Sequence, residues 1–335
     1  MTWISASITS NLSFNATTTA EEVATALASS IAGKTVLVTG VSPGGLGAYF
    51  VKVIAAHHPK LLILAGRSGS KLAETLRKIE AAHPGVAVRT LELDLSSQAQ
   101  VRKAAAEVLS WPEPIDVLVN SAAVMATPYQ EAPDGLEMQF GTNHIGHFLF
   151  TNLIMPKLLQ STAGPRVVNV SSAGHRFSDI RWDDIGFQGG KTYDKWRAYG
   201  QAKTANILFT VGLAQRLGPK GLKAFSLHPG GIITNLGRYM TDRDNELAAI
   251  KAIDKEMGNK QGHDGYQQTM KTLTQGTSTY VVAAFDPKLD EHNGVYLQDC
   301  QLAGGDDIKP YAVDKDSAAR LWKLSEELVG QSFDY

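Results

Sequence analysis

Two side chains four residues apart on a helix share a face, so the segment YGQAK would set the phenol of Tyr199 beside the ammonium of Lys203. Such a pair suits proton transfer to or from a carbonyl oxygen as hydride reaches or leaves the attached carbon. Free tyrosine, titrating near pH 10, is poorly matched to neutral solution. An ammonium about 4 Å away, at an effective dielectric near 20, would favour the phenolate by up to about 4 kcal/mol, roughly 3 pKa units before screening. The spacing alone is weak, because Tyr311 and Lys315 in YAVDK repeat it. Context selects Tyr199, which precedes the amphipathic run TANILFTVGLAQRLG and follows an apolar run ending in a serine pair, whereas Tyr311 follows a proline in the tail. The second serine of that pair, Ser172, could donate to the same substrate oxygen and stabilise charge developing there, or could simply cap a turn.

Hydride chemistry needs a redox partner. In TGVSPGGLGAYF, Gly40, Gly44, Gly45 and Gly47 stand between the first β-branched run and the first crossover helix. Glycines let the backbone approach a pyrophosphate, and the helix that follows offers unpaired N–H groups and the positive end of its dipole. A tight turn without a ligand is the alternative, and the position after the first strand weighs against it. After the second apolar run the sequence reads AGRSGS, with no carboxylate to bond a ribose 2′-hydroxyl. Arg67, helped by Ser68, suits a 2′-phosphate and so NADP(H); the alternative is an ordinary exposed cation. Asp94 in LELDLSS could accept from an adenine amino group or cap the next helix.

Seven runs must carry these residues: KTVLVT, KLLILA, VAVRTLEL, IDVLVN, PRVVNV, LKAFSL and GVYL, with helical stretches between them. They are nearly continuously apolar, as expected of strands covered by helices on both faces. The expected fold is therefore α/β, a doubly wound parallel seven-stranded sheet in one domain, residues 34–330. Residues 1–33 form an extension whose segment TTTAEEVATALASSIAG predicts one leading helix with a Thr cap, Val23, Leu27 and Ile31 on one face, and Gly33 at its end. Segments 173–198 and 235–275 fit no simple rhythm and are taken as insertions; residues 331–335 are a tail.

Composition closes off other classes. With 335 residues, 43% of them hydrophobic, the chain can bury a large core, and a net charge of −1 gives no footprint for nucleic acid. The one cysteine, Cys300, cannot pair within the chain, which points to a reducing compartment. MTWISASITS lacks the features of a signal peptide and no run of about 18 apolar residues exists, so a cytoplasmic location is expected, with the sequons at Asn11, Asn15 and Asn169 unmodified. His144 and His147, without a carboxylate or cysteine nearby, suggest helix packing or hydrogen bonding rather than a metal site.

In order along the chain, TGVSPGGLG, AGR, LDL, NSAA, TNHIGHF, VVNVSSAGHRF, AYGQAK and HPGGIITNL resemble the motifs of the short-chain dehydrogenase/reductase family, most of all its retinol-dehydrogenase-like branch, from residue 34 to about 330. The resemblance implies a Rossmann fold and an NADP(H)-dependent oxidoreductase acting on CH–OH donors. It implies a catalytic tetrad in which Asn143 holds a water in a relay to the lysine, Ser172 orients and polarises the substrate, Tyr199 is the acid/base, and Lys203 binds the nicotinamide ribose while lowering the tyrosine pKa. Cofactor contacts are implied for Gly40, Ser42, Gly45, Leu46, Gly47, Arg67, Ser68, Asp94, Leu95, Asn120, Ala122, Tyr199, Lys203, Pro229, Gly230, Ile232 and Thr234. A homodimer paired through the tyrosine helix and its predecessor is also implied. The glycine turn is one residue longer than the family's usual form, so Gly44 and Gly45 compete for its middle role, and Gly45 keeps the family's Gly-x-Gly ending. NSAA replaces the commoner N-N-A-G. The 27 positions from Ser172 to Tyr199 are about twice the spacing common in the wider family, and the extra length is expected to border the substrate.

Phe177, Trp182, Phe187, Tyr193 and Trp196, with Leu236, Tyr239 and Met240 from the second insertion, could line an apolar pocket or form private cores. The expected substrate is a small hydrophobic carbonyl compound or alcohol. Two alternatives are an NADP(H)-binding sensor or partner-binding protein of the same fold without turnover, and a reductase of a conjugated or iminium intermediate.

Overall fold

The structure is a computed structural model that describes residues 9–266 and 269–335. Most of MTWISASITS therefore lies outside the described residues. The strands are β1 (Thr35–Thr39), β2 (Leu61–Gly66), β3 (Val88–Glu92), β4 (Val117–Asn120), β5 (Arg166–Val170), β6 (Lys223–His228), β7 (Tyr296–Gln298) and β8 (Gln301–Leu302). They form one sheet in the order β3-β2-β1-β4-β5-β6-β7-β8, with seven parallel strands as the apolar runs predict. The eighth, β8, is an antiparallel edge that the sequence reading missed. Two residues are too few for a periodic signal. It is a tight hairpin, with Asp299 and Cys300 both at positive φ, and the amino-terminal extension clasps its Gln301, which accepts from the Thr9 hydroxyl at 2.7 Å and donates to Phe14 O at 2.8 Å.

The helices are α1 (Ala20–Ala26), α2 (Ala28–Ile31), α3 (Leu46–Ala55), α4 (Gly69–Ala82), α5 (Gln98–Ser110), α6 (Met138–Phe140), α7 (Gly146–Leu153), α8 (Met155–Leu159), α9 (Lys195–Leu217), α10 (Arg243–Glu256), α11 (Leu273–Phe285) and α12 (Lys315–Val329), with a π turn over Gly141–Ile145. One apolar core lies on each sheet face, one built on α5, α7, α9 and α12 and the other on α3, α4 and α11. The doubly wound arrangement is thus as expected. The leading helix divides in two at Leu27, whose φ and ψ are −107° and 18°. Thr19 and Glu22 close a capping box at its start, and Val23, Leu27 and Ile31 are all buried in the second core. None of the described helices is long and apolar enough to cross a membrane.

Both insertions contain structure that their sequences hid. The first holds two 3₁₀ turns, Ala173–Phe177 and Phe187–Gly190, and runs into α9, capped by Asp194 through Trp196 N and Arg197 N at 2.9 and 2.8 Å. The second contains α10 and the start of α11. The tail is not loose, because Phe333 enters the first core and the Tyr335 hydroxyl donates to Asn152 Oδ1 at 2.9 Å.

Helix α12 lies on the face shared by α7 and α9. Trp322 meets Phe148 edge to face at 5.1 Å and tilts against Phe209 at 5.9 Å, over Gly212, where a Cβ would come within 3.1 Å of the indole. The indole thus centres an aromatic cluster that joins α7, α9 and α12. Trp322→Ala should therefore lower unfolding stability by about 3–5 kcal/mol in a denaturant titration, since it removes the largest side chain covering that face.

Candidate active site

The last residue of β1, Thr39, begins the site. Its Oγ1 accepts the backbone N–H of Ser121 at 2.9 Å and of Ala122 at 3.0 Å, drawing the turn after β4 against the end of β1. Gly40 then turns with φ +77°, and a Cβ there would lie 2.6 Å from the Ala122 Cα. Gly47 is pressed as closely, its absent Cβ falling 2.8 Å from Gly40 O. Gly44 and Gly45 have different tasks. Gly44, at φ +78° with open space around it, makes the turn, while Gly45 is the N-cap of α3 and leaves it without a side-chain cap. The crevice at the switch between β1 and β4 thus meets a bare helix terminus, and both suit a dinucleotide pyrophosphate.

The other expected contact residues gather around this crevice or along the neighbouring strand ends. Leu46 and Ile232 both approach Gly276 of α11. Gly230 turns at φ +101° over Lys271, and Thr234 Oγ1 accepts Leu236 N at 3.3 Å as the cap of a 3₁₀ turn. The Ser42 carbonyl accepts Gly45 N. Asp94 Oδ1 accepts Ser96 N and the Ser96 hydroxyl, so it braces its own turn, and Ser97 rather than Asp94 caps α5. Leu95 is buried with its carbonyl against Gly146, where any Cβ would lie 2.2 Å away. Arg67 is exposed at the end of β2 and forms no ion pair among the described residues. A carboxylate that the sequence reading passed over stands near it: Glu92, at the end of β3, has Oε1 2.7 Å from where a Gly69 Cβ would be, at the start of α4. Strand pairing, which places Glu92 opposite Gly66, brings it there, and no local pattern signals it.

Beneath the sheet, Asn120 Nδ2 donates to Thr151 Oγ1 and Asn169 Oδ1, both at 2.9 Å, and Asn169 Nδ2 donates to Thr210 Oγ1 at 2.9 Å. This buried chain links α7 to α9 through β4 and β5. It also leaves Asn169, one of the sequons, inside the protein.

Ser172, Tyr199 and Lys203 converge at the end of β5. Ser171 donates to Lys203 O at 2.7 Å, fixing the helix to the strand, and Lys203 Nζ donates to Val170 O at 3.0 Å from a position 5.6 Å above the Tyr199 ring centre. Ser172 Oγ accepts Gly174 N at 3.0 Å. Gly174 and Gly200, which the sequence reading did not single out, make the fit possible. A Cβ on Gly174 would lie 2.8 Å from the Tyr199 ring, and one on Gly200 would lie 2.9 Å from Gly174 O. The rival pair is not a site of this kind, since the Tyr311 hydroxyl donates to His175 O at 2.9 Å and Lys315 is exposed.

Asn143 lies in the π turn, where its Nδ2 donates to Val124 O at 2.9 Å and its Oδ1 accepts Val124 N at 2.8 Å. These bonds pin the side chain to Val124, and the Asn143 carbonyl faces His147 Nδ1 at 3.0 Å. His175 Nδ1 faces Ser172 O at 2.7 Å, while its Nε2 accepts Lys309 N at 3.2 Å. His144 packs among Phe140, Phe148 and Phe209 and shares a hydrogen with Ser325 Oγ at 2.8 Å, so helix packing and hydrogen bonding do account for it.

The expected aromatic wall divides. Phe177 and Trp196 pack with Tyr199 and Ile253, bordered by Met125, Met240, Ile250 and Met257. Phe187 and Tyr193 pack on each other, and Tyr193 also meets Tyr129, in a private core whose phenol donates to Thr127 O at 3.0 Å; Trp182 lies under Arg320 of α12. Helix α10 is held over the wall by bidentate pairing of Arg176 with Asp254 at 2.7 and 3.1 Å, and by Glu246, which accepts from Trp196 Nε1 at 2.8 Å and from Lys195.

Burial governs both groups in the chain by itself. Burial pushes the Tyr199 phenol up to about 12, against a smaller pull downward from its hydrogen bond with Ser172, and pushes Lys203 down to about 7. Loss of water disfavours the charged form of each group, the phenolate and the ammonium alike.

Comparisons with known proteins agree with this geometry. The family profile of the short chain dehydrogenases matches residues 34–245. The chain belongs to the short-chain dehydrogenase/reductase family. Within it, the chain falls in the retinol-dehydrogenase-like branch: it is 38% identical to short-chain dehydrogenase/reductase prx1 of Penicillium roqueforti over 89% of this chain and 86% of that one, and 34% identical to human retinol dehydrogenase 14 over 89% and 87%. A crystal structure of an uncharacterised protein from Mycobacterium paratuberculosis superposes with a TM-score of 0.68 at 31% identity, over 91% of this chain and 96% of that one. The family uses a nicotinamide cofactor, and the glycine cradle and bare helix terminus fit one.

Lys203 should leave a signature in stability. Its pKa is about 7 folded against the ordinary 10.5, so between those values the unfolded chain binds more protons and stability rises with pH. Melting temperatures of the cofactor-free protein from pH 7 to 9.5 should show this rise, and Lys203→Met should flatten it.

Proposed function

We propose that this protein is an NADP(H)-dependent oxidoreductase that moves hydride between the nicotinamide and a hydrophobic carbonyl compound, or the corresponding alcohol, with Tyr199 as acid/base. The observation that carries the reading is the convergence of the buried Tyr199 phenol, the Ser172 hydroxyl and the Lys203 ammonium beside the glycine crevice. Gly40, Ser42, Gly45, Leu46 and Gly47 with the start of α3 would hold the pyrophosphate. Asp94 and Leu95 would border the adenine; Asn120 would steady the central strand beside the cofactor, next to Ala122; Lys203 would bind the nicotinamide ribose; and Pro229, Gly230, Ile232 and Thr234 would form the loop at the carboxamide and pyrophosphate. When bound, the dinucleotide would supply the hydride and, oxidised, a positive charge near the phenol.

The chain's own groups handle the proton. At neutral pH the buried phenol keeps its hydrogen, the form that donates to a carbonyl oxygen. Ser172 can donate to the same oxygen, and Lys203 in its ammonium form, with one N–H on Val170 O, would have two left for ribose hydroxyls. Asn143 would hold a water in a relay to Lys203. Phe177, Trp196 and the methionines at 125, 240 and 257 support an apolar substrate, because thioethers adapt to irregular hydrocarbon shapes. The relatives named retinol dehydrogenases point the same way. Exposed and without an ion pair among the described residues, Arg67 supports a 2′-phosphate, although Glu92 shares its corner.

Tyr199→Phe should cut turnover by about 10²–10⁴-fold while NADPH binding, followed by fluorescence titration, stays within a few-fold. Turnover near that of the parent enzyme would overturn the assignment. Arg67→Asp should raise the KM for NADPH and lower that for NADH; an unchanged KM for NADPH removes Arg67 from the 2′-phosphate site.

A further inference from the structure

His147, on α7, is fully buried, and both of its ring nitrogens are engaged with segments that build the site. Its Nε2 lies 2.9 Å from Thr39 Oγ1, and its Nδ1 lies 3.0 Å from Asn143 O. The hydrogens can be placed by counting. Thr39 Oγ1 already accepts two backbone N–H groups, from Ser121 and Ala122, so its own hydrogen is the one left to point at Nε2. Nε2 is then the acceptor, and the ring hydrogen sits on Nδ1 and is donated to the Asn143 carbonyl. Burial pushes the ring's pKa down to about 4, which keeps it neutral in ordinary solution.

The two partners belong to the two halves of the chemistry. Thr39 is the hinge from β1 into the glycine turn, and through Ser121 and Ala122 it fixes the wall against which Gly40 closes. Asn143 is pinned through its side chain to Val124, and His147 holds its carbonyl. Lys203 is near enough for its charge to bear on the ring. We propose that His147 is a positioning residue which, as the Nδ1–H tautomer, ties the glycine turn to the Asn143 carbonyl, so that cofactor seating and proton-transfer geometry are set by one ring. This rests on the tetrad reading above.

The tautomer is read directly from ¹⁵N–¹H correlation spectra of the labelled full-length protein without cofactor at pH 7, with His147→Asn supplying the assignment. A neutral ring protonated at Nδ1 is expected, and an Nε2–H ring or an imidazolium overturns the proposal. Two substitutions then separate its two bonds. His147→Asn keeps an amide donor for the carbonyl but loses the acceptor for Thr39, so the KM for NADPH should rise about tenfold with kcat within about threefold. His147→Gln keeps an acceptor for Thr39 but loses the donor, so kcat should fall about tenfold with the KM for NADPH within about threefold. If both variants lose kcat and KM together, in proportion to their loss of melting temperature, the ring only packs and the proposal fails. Retention of turnover by Tyr199→Phe would defeat the tetrad reading while leaving the tautomer result standing, so the two failures are distinguishable.

Discussion

The removal of water from Lys203 is the constraint around which the rest of the site is arranged. An ammonium enclosed by protein loses several kcal/mol of hydration, and a single carbonyl, Val170 O, replaces only part of it. What remains is an unspent capacity to donate, held at one place by the Ser171 bond to the helix backbone and by the long α9 running behind it. The same burial keeps the neighbouring phenol protonated. A site in this condition is incomplete in electrostatic terms, and hydroxyl oxygens brought by a dinucleotide are the kind of acceptor that would complete it.

Holding such a pair requires the backbone around it to be stiff, and the stiffness comes from polar side chains turned inward. The Thr151, Asn120, Asn169 and Thr210 chain joins the two central helices beneath the sheet, and buried groups linked in this way resist rearrangement because breaking one bond leaves an unsatisfied polar atom. Four glycines act from the other side by omission. At positions 40, 146, 174 and 200 a methyl group would collide with backbone or with the tyrosine ring, so the close approach of β1, β4, α7, α9 and the first insertion depends on having no side chain there.

The insertions give the shared fold its own walls. The first supplies Phe177 and Trp196 beside the phenol, and the second returns α10 over them, anchored by paired charges at Asp254 and Glu246. Between them lies a methionine-bordered surface whose shape can adjust. On the opposite side, α12 and the carboxyl-terminal residues pack against α7 and α9.

Much of this was readable before any coordinates. Apolar runs at regular intervals set the parallel sheet, since a strand buried on both faces has no need to alternate. The glycine cluster and the Tyr199–Lys203 spacing located the two halves of the site, because glycine's freedom and the helical period act over a few residues. What depended on distance across the fold was not readable. Burial pushed the Tyr199 phenol up and the Lys203 ammonium down, strand pairing delivered Glu92 to the corner of Arg67, and folding split the aromatic residues between the site and private cores. The roles of Gly174, Gly200 and His147 were equally hidden, since each is defined by a contact with a segment far off in sequence. Local order follows from neighbours along the chain, whereas desolvation, tautomer and fit are properties of what surrounds a group in space, and only tertiary packing decides them.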